Sequence, residues 1–405
     1  MEENESDIVF GGSTWKVPDN PSVPFVYGDG IGHDVTSNAM RVIDAAIDKA
    51  YGGDRSIKWI EMQAGEKAEK ETGSRLPDST IDYVKKHGLL FKGPLETPVG
   101  GGFRSLNVTL RLALDLYANI RPIKYVNGIT SPLRNPDNID LVIFRENTDD
   151  IYIGIEWKYD SKEAGEVRDF LKSKMGVKID QDAGIGIKPI GKAKTERIAR
   201  MAIQYAIKNK RRSVTIMHKG NIMKYTEGAF REWSYDVAIS EFRDSIVTEK
   251  EVAENYGGKV PEGKVLINDR IADNMFQQLI GKPDIYDVIL APNLNGDYVS
   301  DAAGALIGDI GILGGANIGD SGGMFEAVHG TAPKYADKNI ANPMGMIRAG
   351  MLMLEYFGWN EPVALIDKAL EKSIAQKKVT QDIARLMGCE AIGTKEFSDA
   401  VISNL

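Results

Sequence analysis

Cysteine is nearly missing: Cys389 is the only one in 405 residues, so an intrachain disulfide and a cysteine-based metal site are both excluded. A reducing, cytoplasmic compartment is expected from that usage. Long apolar runs are lacking too, with no stretch of about 18 uninterrupted apolar residues to span a bilayer. The N-terminus, Met1-Glu2-Glu3-Asn4-Glu5-Ser6-Asp7, is acidic and has no apolar core behind it, which speaks against a signal peptide. Basic clusters are absent as well. The net charge is −8, from 50 basic and 58 acidic residues, and no run of Lys and Arg offers a footprint for nucleic acid or an anionic membrane. Neither a repeat of fixed period nor a low-complexity tract interrupts the chain.

What is present has the texture of an α/β protein. Short apolar runs (Val23 to Tyr27, Leu141 to Phe144, Ser213 to His218) alternate with amphipathic stretches such as Val35 to Tyr51. The length favours two or three domains. Between Trp157 and Lys192 charged residues and glycines take over, and this segment is expected to be an insertion with its own small structure. The glycine-dense stretch from Gly304 to Gly330 has apolar residues interspersed throughout and is expected to form loops around a site. Gly28-Asp29-Gly30-Ile31-Gly32 follows a strand and precedes a helix, as a dinucleotide fingerprint should. The G-x-G-x-x-G spacing fails, because His33 stands where the third glycine belongs. A tight strand-to-helix turn or a phosphate-cradling loop both remain open there, and no Rossmann domain follows from it.

The segment from Gly93 to Tyr117 is more informative. Leu106, Leu110, Ala113, Leu114 and Tyr117 recur at helical spacing and are expected to form a buried stripe. Asn107 and Arg111 lie four apart off that stripe, and Ser105 falls in the first turn, where free backbone N–H groups favour an anion. Ser105 could instead be an ordinary helix cap and the arginines a solvated face. The glycine-rich approach, Gly100-Gly101-Gly102, and arginines suited to bidentate carboxylate binding favour an anion site. Arg121 and Arg145 can join it only through the fold. Two acidic pairs complete the chemistry: Asp269 with Asp273, and Asp297 with Asp301, each four apart and each sharing one face if helical. Such pairs repel unless a cation or basic partner compensates. Oxygen-only ligands suit Mg²⁺ or Mn²⁺ rather than zinc, although either pair alone could be an exposed, salt-bridged face.

Five separated motifs carry a resemblance. The run Gly93 to Pro122, Phe144-Arg145-Glu146-Asn147 through Ile151-Tyr152, His218-Lys219-Gly220-Asn221-Ile222-Met223-Lys224, the stretch Asn293 to Asp301, and His329-Gly330-Thr331-Ala332-Pro333-Lys334-Tyr335 together resemble the prokaryotic NADP-dependent isocitrate dehydrogenases of the β-decarboxylating dehydrogenase family. The similarity covers nearly the whole chain after about Pro21. It implies a two-domain α/β sandwich without a Rossmann fingerprint. Residues 1–116 and 308–405 would form a large, cofactor-side domain. Residues 117–149 and 193–307 would form a small domain with the dimer and metal site, and residues 150–192 a clasp insertion.

The same resemblance implies a site shared between the subunits of a homodimer, with Lys219 and Asp273 reaching the partner's substrate. Ser105, Asn107, Arg111, Arg121 and Arg145 correspond to isocitrate contacts, Asp273, Asp297 and Asp301 to ligands of Mg²⁺ or Mn²⁺, and Tyr152 and Lys219 to the catalytic acid and base. NADP would meet Glu96, Thr97, His329, Gly330, Thr331, Ala332, Pro333, Lys334, Tyr335, Asn342 and Arg385. Two positions depart from the family pattern: Glu96 stands where threonine is frequent, and Gln381 where bacterial members carry tyrosine. Isopropylmalate or homoisocitrate dehydrogenases share the metal and lysine motifs. A noncatalytic regulatory subunit is the alternative of another class, against which the retained Tyr152, Lys219 and aspartates argue.

Overall fold

Strands such as Ser22–Val26 and Val288–Ala291 are apolar along their length and buried at every position, the signature of strands covered on both faces by helices. The computed structural model describes residues 8–10, 15–96 and 105–405. Its main sheet has eleven strands, in the order Ile246–Thr248, Val265–Ile271, Ser213–His218, Val288–Ala291, Asp140–Glu146, Ala118–Lys124, Gly314–Ile318, Gly323–Ala327, Leu89–Lys92, Ser22–Val26 and Lys58–Glu61. The first five run parallel to one another, as do the last four. Ala118–Lys124 and Gly314–Ile318 join the two halves through antiparallel ladders. This antiparallel centre separates the architecture from an all-parallel doubly wound sheet, in line with the failed glycine spacing.

Helix Gly32–Tyr51 shows how sequence sets the layers. Val35, Ala39, Val42, Ile43, Ala46 and Ile47 recur at three- and four-residue spacing and are fully buried, and Gly52, at φ 63°, ends the helix in the left-handed conformation. Each such Val or Ile contributes about 1.5–3 kcal/mol by leaving water. Helices Met344–Phe357, Asn360–Ala375 and Thr394–Asn404 share that core with Phe25, Phe91 and Ile143 of the sheet. Gly350 permits the close approach, since a Cβ there would lie 2.2 Å from Ile43 Cδ1. On the opposite face of the other half, helices Lys192–Lys208 and Glu227–Glu241 cover Val142, Phe144, Ile216 and Leu290.

The segment expected to be an insertion does have its own structure. Glu156–Trp157 pairs antiparallel with Ile185–Gly186, and helix Lys162–Met175 lies between them, capped by Ser161, whose hydroxyl accepts from the Ala164 amide at 3.2 Å. Its apolar side chains Phe170 and Met175 are more than half exposed.

The glycine turn is now decided. The amides of Asp29 and Ile31 donate to the carbonyls of Pro94 (2.7 Å) and Thr331 (2.9 Å), and a Cβ on Gly30 would sit 2.1 Å from the Thr331 oxygen. With two of its N–H groups spent on neighbouring loops and that of Gly32 on the Asp29 carbonyl, it serves as a structural turn.

One expectation fails outright. Asp269 ends in strand Val265–Ile271 and Asp273 in helix Ala272–Gly281, so their four-residue spacing does not put them on one helical face. The buried stripe also differs. The helix is Leu106–Ala113 and stops before Leu114 and Tyr117, with Val108, Leu110 and Arg111 as its buried residues.

Candidate active site

Cross-strand register, not sequence proximity, assembles the polar centre. Lys92 pairs with Glu326 and Glu326 with Gly315, while Asn317 pairs with Asn119 and Asn119 with Arg145. Paired residues point to the same face, and Arg121 lies two positions beyond Asn119, so a buried polar ribbon crosses the antiparallel centre. It sits where the two parallel halves meet, the place where open α/β sheets take ligands.

Arg111, from helix Leu106–Ala113, reaches the ribbon by donating from Nη2 to Glu326 Oε1 at 2.8 Å. Lys92 Nζ lies 2.7 Å from the other Glu326 oxygen, with both side chains nearly inaccessible. Burial alone would raise the Glu326 pKa, but Lys92 and Arg111 hold it far below the ordinary range. Arg121 Nη1 donates to Ser300 Oγ (2.5 Å) and Asp301 Oδ1 (3.2 Å). Arg145 donates through Nε to Asn293 Oδ1 (2.9 Å) and through Nη1 to Asp297 Oδ1. Burial, with Arg121 nearby, pushes Arg145 down to about 10, because the guanidinium is cut off from water and set beside another cation.

Tyr152, in the short turn Asp150–Ile153, donates its hydroxyl to Asp297 Oδ2 at 2.7 Å, and the Arg145 guanidinium stands 4.9 Å from the centre of its ring. Burial and the Asp297 charge raise the phenol to about 12, against the opposing pull of Arg145. For Asp297 itself burial works upward, but Arg145, the tyrosine hydroxyl and Arg121 win and hold it ionised. Burial raises Asp301 instead, with Arg121 opposing and Asp297 adding to the rise. These two aspartates share one face of helix Asn293–Leu306.

Ser105, Asn107, Arg111, Arg121, Arg145, Tyr152 and Asp297 all line one cavity of about 380 Å³. Arg111 Nε, Arg121 Nε and Asn107 Oδ1 are buried with no hydrogen-bond partner among the described residues, so polar capacity is held in reserve there. Ser105 occupies the N-cap position, yet its hydroxyl does not cap the helix. A smaller space of about 120 Å³, lined by Lys92, Asn119 and Glu326, adjoins through Asn107, Arg111 and Arg121. It shares His329 and Gly330 with a third cavity of about 440 Å³, whose walls include Asp309, Ala332, Tyr335, Asn342, Gln381, Asp382 and Arg385. The three form one continuous track.

Along that track His329 is kept neutral by burial, which lowers its pKa. Ala332 adopts a left-handed φ of 37°, unusual for a residue with a side chain. Lys334 lies over the Tyr335 ring, 4.7 Å from its centre, and both are exposed. Thr331 and Pro333 belong to the same loop, Thr331 accepting from Ile31 through its carbonyl. Asn342 bridges Asp382 Oδ2 (2.8 Å) and the Met344 amide (3.0 Å).

Other site residues are not brought together. Lys219 Nζ pairs with Asp273 at 2.5 Å, and neither lines any of the three cavities. Glu96 does not line them either. Its amide donates to Asp29 Oδ2 at 2.9 Å and its carboxyl is hydrogen-bonded to Glu66, which raises its pKa. Thr97 lies outside the described residues. Among the described residues no three His, Cys, Asp or Glu side chains of one chain converge as a metal cage. Asp297 and Asp301 supply hard oxygen donors of the kind that suits Mg²⁺ or Mn²⁺. Lys92, Asn119, Asn317 and Glu326 had no local sequence signal.

The chain belongs to the isocitrate/isopropylmalate dehydrogenase family, whose model matches residues 22–401. It is 55% identical over its full length to isocitrate dehydrogenase [NADP] of Archaeoglobus fulgidus, covering 97% of that protein. It is 49% identical to the Staphylococcus aureus protein of the same name, over 98% of this chain and 99% of that one. The crystal structure of isocitrate dehydrogenase from Methylococcus capsulatus superimposes with a TM-score of 0.77 at 36% identity, over 95% of this chain and 98% of that one. The expected fold, an isocitrate/isopropylmalate dehydrogenase-like α/β architecture, is the one found. Among the described residues no helix is long and apolar enough to cross a membrane.

Proposed function

We propose that this protein oxidises isocitrate with NADP and decarboxylates the product to 2-oxoglutarate and CO₂, with Mg²⁺ or Mn²⁺, as a cytoplasmic homodimer of the tricarboxylic acid cycle. One observation carries the reading: Arg111, Arg121 and Arg145 converge on one cavity with Asn107, Tyr152 and Asp297, and although each arginine has a carboxylate partner, Arg111 Nε and Arg121 Nε keep donors free among the described residues for a ligand's carboxylates. Full-length likeness to proteins named isocitrate dehydrogenase [NADP] supports it. In the proposed division residues 1–116 and 308–405 bind the cofactor, residues 117–149 and 193–307 carry the dimer and metal site, and residues 150–192 clasp the partner.

In this reading the three arginines hold the carboxylates and orient C2 of the substrate. Lys219, from the partner copy, accepts the C2 hydroxyl proton as hydride leaves for the nicotinamide. Tyr152 donates its proton to C3 after CO₂ departs, leaving 2-oxoglutarate. Asp297 and Asp301, with Asp273 of the other copy, would hold Mg²⁺ or Mn²⁺, which when bound supplies Lewis-acid polarisation of the C2 oxygen. The polar Ser105 and Asn107 favour a carboxylate over the isopropyl group of an isopropylmalate enzyme. An absorbance assay at 340 nm (about the reduced nicotinamide band) with isocitrate, isopropylmalate, Mn²⁺ and each cofactor decides it; turnover of isopropylmalate but not isocitrate would reverse the assignment.

Two expectations follow from these roles. Tyr152→Phe should slow decarboxylation and enol protonation more than hydride transfer, since the hydroxyl acts after oxidation. Supplying oxalosuccinate isolates those steps, and a variant that decarboxylates it as fast as wild type would remove Tyr152 from the mechanism. Because Lys219 and Asp273 do not line their own chain's cavity, mixed Lys219→Met and Arg111→Ala homodimers should regain activity on subunit exchange. One of the two heterodimer sites would then be intact, and no recovery after proven exchange would argue for an unshared site.

A further inference from the structure

We propose that Glu227, acting with Lys188, is a positioning residue that fixes both catalytic groups a chain supplies, Tyr152 and Lys219. The inference rests on the reading above for what those two groups do, but not for the geometry. Three segments, two of them distant in sequence, converge on this one carboxylate, which is 1% exposed. The Lys219 amide donates to Glu227 Oε2 at 2.5 Å, and Asn295 Nδ2 donates to the same oxygen at 2.7 Å. Lys188 Nζ lies 3.1 Å from Oε1 and 2.5 Å from Asp150 Oδ1.

Each contact leads to a functional residue. Asp150, equally buried, opens the turn Asp150–Ile153 that carries Tyr152, and its backbone is left-handed at φ 71°, a conformation that is uncommon outside glycine and that a local side-chain bond helps an aspartate to hold. Asp150 accepts from the amides of Ile151 (2.7 Å) and Leu294 (3.1 Å), and its own amide donates to Pro189 O (2.9 Å). Asn295 and Leu294 lie in the first turn of the helix that bears Asp297 and Asp301. At Lys219 the chain runs flush against the start of helix Glu227–Glu241, where a Cβ on Gly220 would be 2.6 Å from Gly228 Cα. Lys188 comes from the inserted segment, so that segment braces the interior as well as exposing apolar side chains.

The charge count selects the variant. Two buried carboxylates face one ammonium, so Lys188→Met would leave both unpaired and endanger folding. Glu227→Gln removes the surplus negative charge and keeps the Lys188–Asp150 pair. A glutamine oxygen can keep both the Lys219 and Asn295 bonds only by turning its NH₂ on the Lys188 ammonium, and turning the oxygen to Lys188 sets the NH₂ against the other two donors, so either orientation weakens the tether while the Lys188–Asp150 pair is kept.

The test compares full-length wild type and Glu227→Gln in steady-state turnover, thermal unfolding and amide hydrogen exchange of the segment containing Lys219. The expected result is a fall in kcat of about tenfold to a hundredfold, as displacing a reacting group by an ångström would give. The KM for isocitrate should stay within about twofold, because the arginines that bind it are untouched. Exchange at Lys219 should quicken by about tenfold or more with Tm preserved. Unchanged kcat overturns the proposal, as does a loss of Tm in step with the loss of activity, which would mark Glu227 as a stability residue only. Exchange reads the tether whatever the substrate: unchanged exchange at Lys219 overturns the inference even if isocitrate turnover is confirmed. Absence of isocitrate turnover in wild type with altered exchange in the variant would strike the functional reading instead.

Discussion

Asp297→Asn is expected to lower turnover at saturating Mg²⁺ by about a hundredfold or more, since under the proposed function it removes an anionic oxygen that would hold the cation and forfeits several kcal/mol of charge stabilisation. The structure adds a second loss. Asp297 is the shared partner of Arg145 and Tyr152, and it lies 4.0 Å from Arg121. With a neutral amide in its place the arginine ring would repel itself more strongly and the tyrosine hydroxyl would lose its ionised acceptor. Folding should survive, because Arg145 keeps Asn293 and Arg121 keeps Ser300 and Asp301. Circular dichroism checks that, and isothermal titration with Mn²⁺ reads the ligand role apart from catalysis. Wild-type turnover together with unchanged Mn²⁺ affinity would sink the assignment.

Much of this site was legible in the sequence, and the failures have physical causes. Asp297 and Asp301 could be placed on one face because the whole run from Asn293 to Leu306 is helical. Asp269 and Asp273 have the same spacing, but the chain passes from strand to helix between Ile271 and Ala272. Asp269 is spent on His218, Tyr235 and Arg231, each at 2.9 Å, which leaves Asp273 to Lys219. Four-residue spacing carries meaning only within one element.

Arg111 was expected off the apolar stripe, and it is, yet it is buried, because Glu326 from a strand more than two hundred residues later meets it. Lys92 and Glu326 are the extreme case. Each sits in an apolar strand, where a charge gives no local hint of a partner, and only the parallel pairing of Leu89–Lys92 with Gly323–Ala327 reveals the ion pair. Periodicity reports which face a side chain takes; it does not report what register brings opposite it.

A preference for NADP over NAD of roughly a hundredfold or more in kcat/KM is expected, and it rests on charge at one end of the 440 Å³ cavity. The two cofactors differ only in the 2′-phosphate of the adenosine ribose, so discrimination needs donors aimed there. Tyr335 and Arg385 line that cavity, and Lys334 sits on the Tyr335 ring at its exposed edge. Arg385 lies in helix Gln381–Met387, whose acidic residue Asp382 is already engaged by Thr380 Oγ1 at 2.6 Å and Asn342 Nδ2 at 2.8 Å, which ties its carboxylate down. Gln381, in place of a tyrosine, exchanges a phenol donor for an amide one and adds no repulsion. Hydrogen bonds to a charged group contribute about 1.5–3 kcal/mol each, so two of them, discounted for exposure, still amount to a hundredfold. Lys334→Asp, Tyr335→Ile and Arg385→Ala combined should bring the ratio to about parity or below, because the new carboxylate would repel the phosphate that the lost donors had attracted. The readout is kcat/KM for both cofactors at fixed isocitrate and Mn²⁺. Equal values in wild type, or a combined variant with its preference unchanged, would place the source of discrimination elsewhere in the chain.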